Sequence, residues 1–233
     1  MRVHYIQHVP FESLGCIEDW LIKNNHTIVS TKVWENAVFP STDDFDVLIV
    51  MGGPMGVYND HQYTWLADEK NFIFDAIRVG KKIIGVCLGA QLLAVVLGAA
   101  VFINKYKEIG WFPVKIDPSF TKWLGKKVES GIIVFHWHGD VFDIPIGGIN
   151  HASSGACSYQ LFTYEDNIIG LQFHLEATPA SIASMIEHGK DELKEGDFIQ
   201  NEEVIKSQTE HFTKTNELMK NILERFNSDN NRA

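Results

Sequence analysis

The chain has 233 residues, 45% of them hydrophobic and 21% charged, with a formal charge of -10. Those fractions belong to a globular protein able to bury a sizeable core, as one large α/β domain or two small ones. The acidic balance argues against a general nucleic-acid surface, and no apolar run approaches the length of a membrane span. The N-terminal MRVHYIQHVPFE lacks the charged-then-apolar order of a signal peptide, and three widely spaced cysteines form neither a disulfide framework nor a CxxC zinc pair. Together these features point to a reduced, cytoplasmic compartment.

In chain order, Val3 to Gln7 reads as a first strand and Ile17 to Lys23 as a short helix with Trp20 and Leu21 inward. The β-branched run Thr27 to Val33 follows as a second strand. Asp46 to Met51 is a buried strand that runs straight into Gly52, Gly53, Pro54 and Gly56. Paired glycines at a strand end leave bare backbone N–H groups at the carboxyl edge of a sheet, where open α/β folds bind ligands. Helical spacing of Trp65, Leu66, Phe72, Ile73, Ala76 and Ile77 predicts a helix over Tyr63 to Val79, stopped by Gly80.

Ile83 to Leu93, IIGVCLGAQLL, reads as a buried strand, a sharp turn carrying one cysteine, and a helix over Gln91 to Leu97. Gly85 and Gly89 flank Cys87 with the spacing of a nucleophile elbow, sulfur replacing oxygen. Backbone from both arms crowds such a turn, and glycine tolerates the approach. A cysteine at the helix N-terminus is expected to favour a thiolate. Cys16 and Cys157 lack such turns and read as packing residues. Alternating strands and helices over the first hundred residues predict a mostly parallel, doubly wound sheet with helices on both faces.

After Gly98 the pattern changes to strands over Glu108 to Ile116 and Ile132 to His138, separated by a polar, lysine-bearing loop around Trp123. GGINHASSG reads as a glycine/serine loop. Cys157 to Tyr164 and Ile168 to Phe173 then form a hairpin around residues 165–167. Thr178 and Pro179 open a helix that Gly189 closes. The tail Asn201 to Phe226 carries the apolar stripe of an amphipathic helix, and the final SDNNRA is expected to fray.

In GLQFHLEATP, a strand's period of two puts Gln172, His174 and Glu176 on one face, where imidazole and carboxylate can act as base and orienter. His136 and His138 also share a face, but no third metal ligand lies at suitable spacing nearby. No metal or other cofactor is therefore expected, and His138 reads as a pocket wall.

The segments GGPMGV (Gly52 to Val57), GVCLGAQLLA (Gly85 to Ala94), FHWHGD (Phe135 to Asp140) and GLQFHLE (Gly170 to Glu176), in that order, resemble the class I, triad-type glutamine amidotransferases. The wording is closest to the glutaminase unit of GMP synthase and its stand-alone relatives. The resemblance implies a flavodoxin-like sheet with a small antiparallel extension. It further implies a glutaminase domain over residues 1–190 and a C-terminal helical extension, 191–233, packed on it. It makes Cys87 a nucleophile that attacks the γ-carbonyl of glutamine, forming a γ-glutamyl thioester and releasing ammonia, then glutamate. His174 would be the acid/base and Glu176 its partner. Backbone N–H groups of Gly53 and Leu88 would hold the oxyanion, and Gln91, Gly139 and Asp140, with His138 beside them, would grip the amino-acid end.

Family members pass ammonia to a synthase, and the 57 residues after Glu176 hold no nucleotide-binding domain or P-loop. Three readings stay open, beside a less favoured fourth, the wider family of cysteine-elbow proteins with a chaperone or deglycase role, which lack this H-L-E placement. The chain is a glutaminase subunit feeding a separate synthase; it is a stand-alone hydrolase or transferase of γ-glutamyl peptides; or it is a non-catalytic regulatory protein of the same fold, which the intact Cys87, His174 and Glu176 disfavour. Its partners would be L-glutamine or a γ-glutamyl compound, with a synthase subunit and a homodimer as further associations, and neither nucleic acid nor membrane.

Overall fold

In the computed structural model, residues 1–228 are described. Nine strands form one sheet in the order β2-β1-β3-β4-β9-β8-β7-β5-β6. The first five are mutually parallel: β2 (Thr27–Lys32), β1 (Arg2–Gln7), β3 (Val47–Val50), β4 (Lys82–Val86) and β9 (Ile168–Leu171). The other four are antiparallel: β8 (Leu161–Tyr164), β7 (Gly148–Ser153), β5 (Val101–Ile116) and β6 (Ile132–Phe142).

The expectation of a mostly parallel sheet with a small antiparallel extension is therefore corrected. The sheet is mixed, and its antiparallel half holds the two longest strands, of 16 and 11 residues. The cause is visible in the pairing. β5 begins seven residues before the strand read from sequence, and it pairs with β6 along most of its length across a register shift between Ile103 and Glu108. A bulged ribbon of this kind carries no clean period of two, so its polar first half reads as loop.

The parallel half is built on strands buried on both faces. In β3 all four residues are buried, Val47 and Ile49 toward one core and Leu48 and Val50 toward the other. One face is covered by α1 (Cys16–Lys23), α4 (Pro118–Leu124) and α7 (Phe212–Ser228), which contribute Trp20, Phe120 and Phe226. The other is covered by α2 (Trp65–Arg78) and α3 (Leu88–Val96), which contribute Phe72 and Leu92. A third cluster packs α5 (Pro179–Gly189) and α6 (Glu202–Ser207) on the β5–β6 ribbon, with Ile182, Met185 and Ile205 against Trp111 and Phe135.

Three local readings change. The lysine-bearing segment around Trp123 contains α4, capped by Asp117 with Pro118 at its first turn. The glycine/serine stretch contains β7, because β5 and β8 pair with it from either side. The tail is not one helix: it breaks after Ser207, so its stripe serves two packing surfaces. The expected hairpin is present as β8 and β9, and Thr178 caps α5. Of the SDNNRA end, residues 229–233 lie outside the described residues. Among the described residues, no helix is long and apolar enough to cross a membrane.

Candidate active site

The carboxyl ends of four adjacent parallel strands deliver the site: His8 follows β1, Gly52 follows β3, Cys87 follows β4, and Gln172 to Glu176 follow β9. At the elbow Cys87 has φ 50 and ψ -105, a backbone conformation that a non-glycine residue adopts only under constraint. The constraint is close packing. A Cβ on Gly89 would run into the Val50 carbonyl, and one on Gly85 would come within 2.6 Å of the Gly89 backbone. β3, β4 and α3 therefore approach too closely for any side chain, and Cys87 is lifted to the N-terminus of α3.

His174 Nδ1 lies 2.7 Å from Glu176 Oε1, and both residues are buried. The spacing of two brings them together, although the chain there is not a continuous strand. β9 ends at Leu171, and His174 makes only an isolated bridge to Phe135, donating its N–H to that carbonyl at 2.8 Å. The Glu176 segment is held from three directions. Its carbonyl accepts from Cys16 N–H at 2.9 Å, and Asn216 of α7 donates to the carbonyls of Leu175 and Ala177 at 2.9 and 3.0 Å. A Cβ on Gly15 would collide with the Glu176 carbonyl.

Burial opposes charging of the His174 ring, yet Glu176, with Cys87, raises its pKa well above the usual 6.5. Burial pushes the Cys87 thiol up, against the pull of His174 and of the Leu88 N–H. Burial at the elbow thus works against the thiolate that the helix N-terminus favours. His174 Nε2 has no hydrogen-bond partner among the described residues, while the thiol lies 3.6 Å from the Trp137 carbonyl and accepts from Gln172 Nε2 at 3.8 Å. The imidazole is close enough to act on the thiol's acidity.

A cavity of about 380 Å³ opens above the elbow. Cys87, Gly53, Gln91, His138, Gly139 and Asp140 line it; Leu88, His174 and Glu176 are not among the lining residues. Gln91 ties α3 to the opposite wall, its Nε2 donating to the Asp140 carbonyl at 3.1 Å and to Gln172 Oε1 at 3.2 Å. Trp137 also lines the cavity, as do Glu12, Lys107 and Glu192, which sequence reasoning did not single out. Lys107 meets Glu192 at 2.6 Å and Trp137 Nε1 donates to the same carboxylate at 3.2 Å, strapping the chain after α5 across the mouth. Glu12 is buried in the loop after β1, and burial raises its pKa against the pull of His174 and His8. A carboxylate at the carboxyl end of a predicted strand was the available signal for it.

The β5–β6 register sets Glu108 opposite His138, supplying the third ligand-type residue that local spacing did not. Glu108, His136 and His138 offer ligand atoms within 4.8 Å of one another, a nitrogen and oxygen set suited to a divalent transition ion. The Glu108 oxygen that faces the two rings at 3.4 and 3.3 Å already accepts from Gln160 Nε2 at 2.6 Å and Ser154 Oγ at 2.9 Å. The group is a buried polar cluster that reaches the cavity at His138.

Residues 18–190 match the family model for glutamine amidotransferase class-I. The amidotransferase-like protein YfeJ of Salmonella typhimurium is 33% identical over 198 residues, 83% of each chain. A glutamine-hydrolysing GMP synthase of Vibrio vulnificus is 32% identical over 135 residues, 57% of this chain but 24% of that one. Crystal structures of glutamine amidotransferases from Thermotoga maritima and Methylobacillus flagellatus superpose with TM-scores of 0.87 and 0.90 at 31% and 27% identity. Each superposition covers 97% of this chain, and 97% and 94% of the respective others. The chain belongs to the class I glutamine amidotransferases.

Proposed function

We propose that the protein is a glutaminase-type enzyme that acts on the γ-amide of L-glutamine or a γ-glutamyl compound. The observation that carries the reading is a strained cysteine at a cavity floor, electrostatically coupled to a buried imidazole that a carboxylate holds at 2.7 Å. His174 takes the Cys87 proton as sulfur attacks the γ-carbonyl. The tetrahedral oxyanion is received by the N–H groups of Gly53 and Leu88, and collapse expels the amine as His174 returns the proton. Water then hydrolyses the γ-glutamyl thioester by the same route, releasing glutamate. Glu176 holds the ring's tautomer and stabilises the imidazolium. Gln91, His138, Gly139 and Asp140 form the side of the cavity assigned to the amino-acid end.

Residues 1–190 form the glutaminase unit in this reading, and the segment from 191 serves it, since Asn216 steadies the carbonyls on either side of Glu176. Ammonia would pass to a separate synthase. The second reading, hydrolysis of γ-glutamyl peptides, is supported by the apolar outer lining of Phe11, Trp137 and Met185, which offers room to an amine larger than ammonia.

Glutamate release from glutamine and from γ-glutamyl peptides tests both. Cys87→Ser is expected to lower release by a factor on the order of 10³ or more while leaving the fold intact. Turnover by the serine variant at the parent rate would remove Cys87 from the mechanism. A strong preference for peptides would select the second reading.

A further inference from the structure

Beside the glycine loop lies a buried imidazole–carboxylate pair that the triad chemistry does not use. The side chains of His8, just after β1, and Glu69, on α2, are both fully buried, at 0% exposure. His8 Nε2 lies 2.9 Å from Glu69 Oε1, and His8 Nδ1 lies 3.0 Å from the carbonyl oxygen of Gly52. A peptide carbonyl oxygen has no proton to give, and neither has an ionised carboxylate. A neutral imidazole owns one N–H and could satisfy one of them; an imidazolium satisfies both. The competing arrangement puts the proton on Glu69, which then donates to Nε2 of a neutral ring. Burial disfavours charge on His8, but Glu69, with Gly52 and Glu12, raises its pKa nonetheless.

The geometry bears on catalysis through a single peptide plane. In a trans peptide the C=O and N–H point in opposite directions, and none of the described peptide bonds is cis. Turning the Gly52 carbonyl to His8 therefore fixes the Gly53 N–H to point the opposite way, away from His8 Nδ1. Gly53 lines the cavity with Cys87, and the space at its Cα is closed by His8 Cβ at 2.9 Å and Leu88 Cδ2 at 3.1 Å, as a built Cβ would meet them. A flip of this peptide would leave a buried cation facing an N–H. We propose that His8, held as an imidazolium by Glu69, is a positioning residue that locks the Gly52–Gly53 peptide in its oxyanion-binding orientation. Its charge also draws density from the Gly52 carbonyl and so strengthens the Gly53 N–H as a donor.

The proposal rests on the glutaminase reading, and three variants with one spectroscopic measurement test it. His8→Leu removes both donors and is expected to lower kcat for glutamine by about 10²-fold or more, the usual loss for one oxyanion donor. His8→Asn keeps a neutral donor near Gly52 and should fall between parent and leucine. Glu69→Gln removes the anion that keeps the ring doubly protonated, and should resemble His8→Asn. KM should stay within about threefold in all three, because the interaction acts on the transition state. Alkylation of Cys87 by iodoacetamide forms no oxyanion and should keep its parent rate, which separates loss of the lock from loss of the fold. In the parent, nitrogen NMR should report both His8 ring nitrogens as protonated. A parent that releases no glutamate counts against the glutaminase reading. An active parent whose three variants turn over at the parent rate, or a neutral-tautomer signature for His8, overturns the lock.

Discussion

The parallel and antiparallel halves of the sheet contribute different things to one cavity. The parallel half ends in four short turns that carry reactive groups: His8, the Gly52–Gly53 pair, Cys87, and the His174–Glu176 pair. Each follows a strand of four to six residues, so its position depends on how closely the strand ends pack. The antiparallel half supplies a wall, Lys107 on β5 and His138 to Asp140 on β6, and stabilises it with a buried polar network around Glu108. Backbone crowding shapes the elbow of the first half, and a cluster of buried polar groups backs the wall of the second. The two should fail differently when disturbed.

The parallel half should be the more brittle. Gly89→Ala places a methyl group against the Val50 carbonyl, and backbone cannot step aside as a side chain can. Overpacking at such a site is expected to cost about 3 kcal/mol or more in urea unfolding. Any protein that still folds should carry a displaced elbow. A misplacement of about 1 Å at a nucleophile can cost about 10²-fold in rate, so glutamate release should fall by at least that factor. A variant of parental stability and turnover would show that the crowding is not what shapes the elbow.

The antiparallel half should lose stability before chemistry. Gln160, fully buried, donates through Nε2 to Glu108 Oε2 at 2.6 Å and to Ser154 Oγ at 3.0 Å. Gln160→Leu is close in volume and removes both donors, leaving a buried carboxylate underpaired. The expected loss is about 2 kcal/mol, in the range for a hydrogen bond to a charged group. Because the network lies behind the wall and not at the elbow, Cys87 should alkylate at the parent rate. Unchanged stability would mean that Glu108 draws its support from the two histidines instead.

The same division explains what could be read from the sequence. The elbow was legible because glycine at minus two and plus two is a local statement about crowding, and Gly85 and Gly89 prove to be where a Cβ would strike backbone. His174 and Glu176 were legible because a separation of two survives even where the strand does not. β7 was not, since its glycine, asparagine and serine residues state a loop until β5 and β8 pair with them. Glu108 was not, because its partners stand 28 and 30 residues away across a bulged ribbon. Asn216 and the His8–Glu69 pair were missed for the same reason: each acts on a carbonyl whose neighbourhood is fixed only by tertiary packing. Long-range partners carry no local period.

The smallest effect expected again belongs to the antiparallel half and appears only as pH changes. His151 on β7 is buried, with Nδ1 2.7 Å from Ser119 Oγ and Nε2 2.8 Å from Thr163 Oγ1, so a neutral ring is satisfied at both ends. Burial lowers its pKa to about 4, against a pull upward from Asp117. Above the unfolded value of 6.5 neither state is protonated and the residue adds no pH dependence. As pH falls from 6.5 toward 4, the unfolded chain takes up a proton that the folded chain refuses, so stability is lost through that window and levels off below it. By pH 5 the deficit should reach about 1–2 kcal/mol after allowance for relaxation of the site. His151→Gln, which cannot titrate, should be less stable than the parent at pH 7.5 through its lost hydrogen bonds. Between pH 7.5 and pH 5, however, it should lose about 1–2 kcal/mol less than the parent does. His4, which burial also lowers to about 4, is present in both proteins and cancels in the difference. Parallel curves of unfolding free energy against pH would show that the β7 imidazole takes up its proton as readily folded as unfolded, and that this half of the sheet tolerates a buried charge as well as a neutral ring.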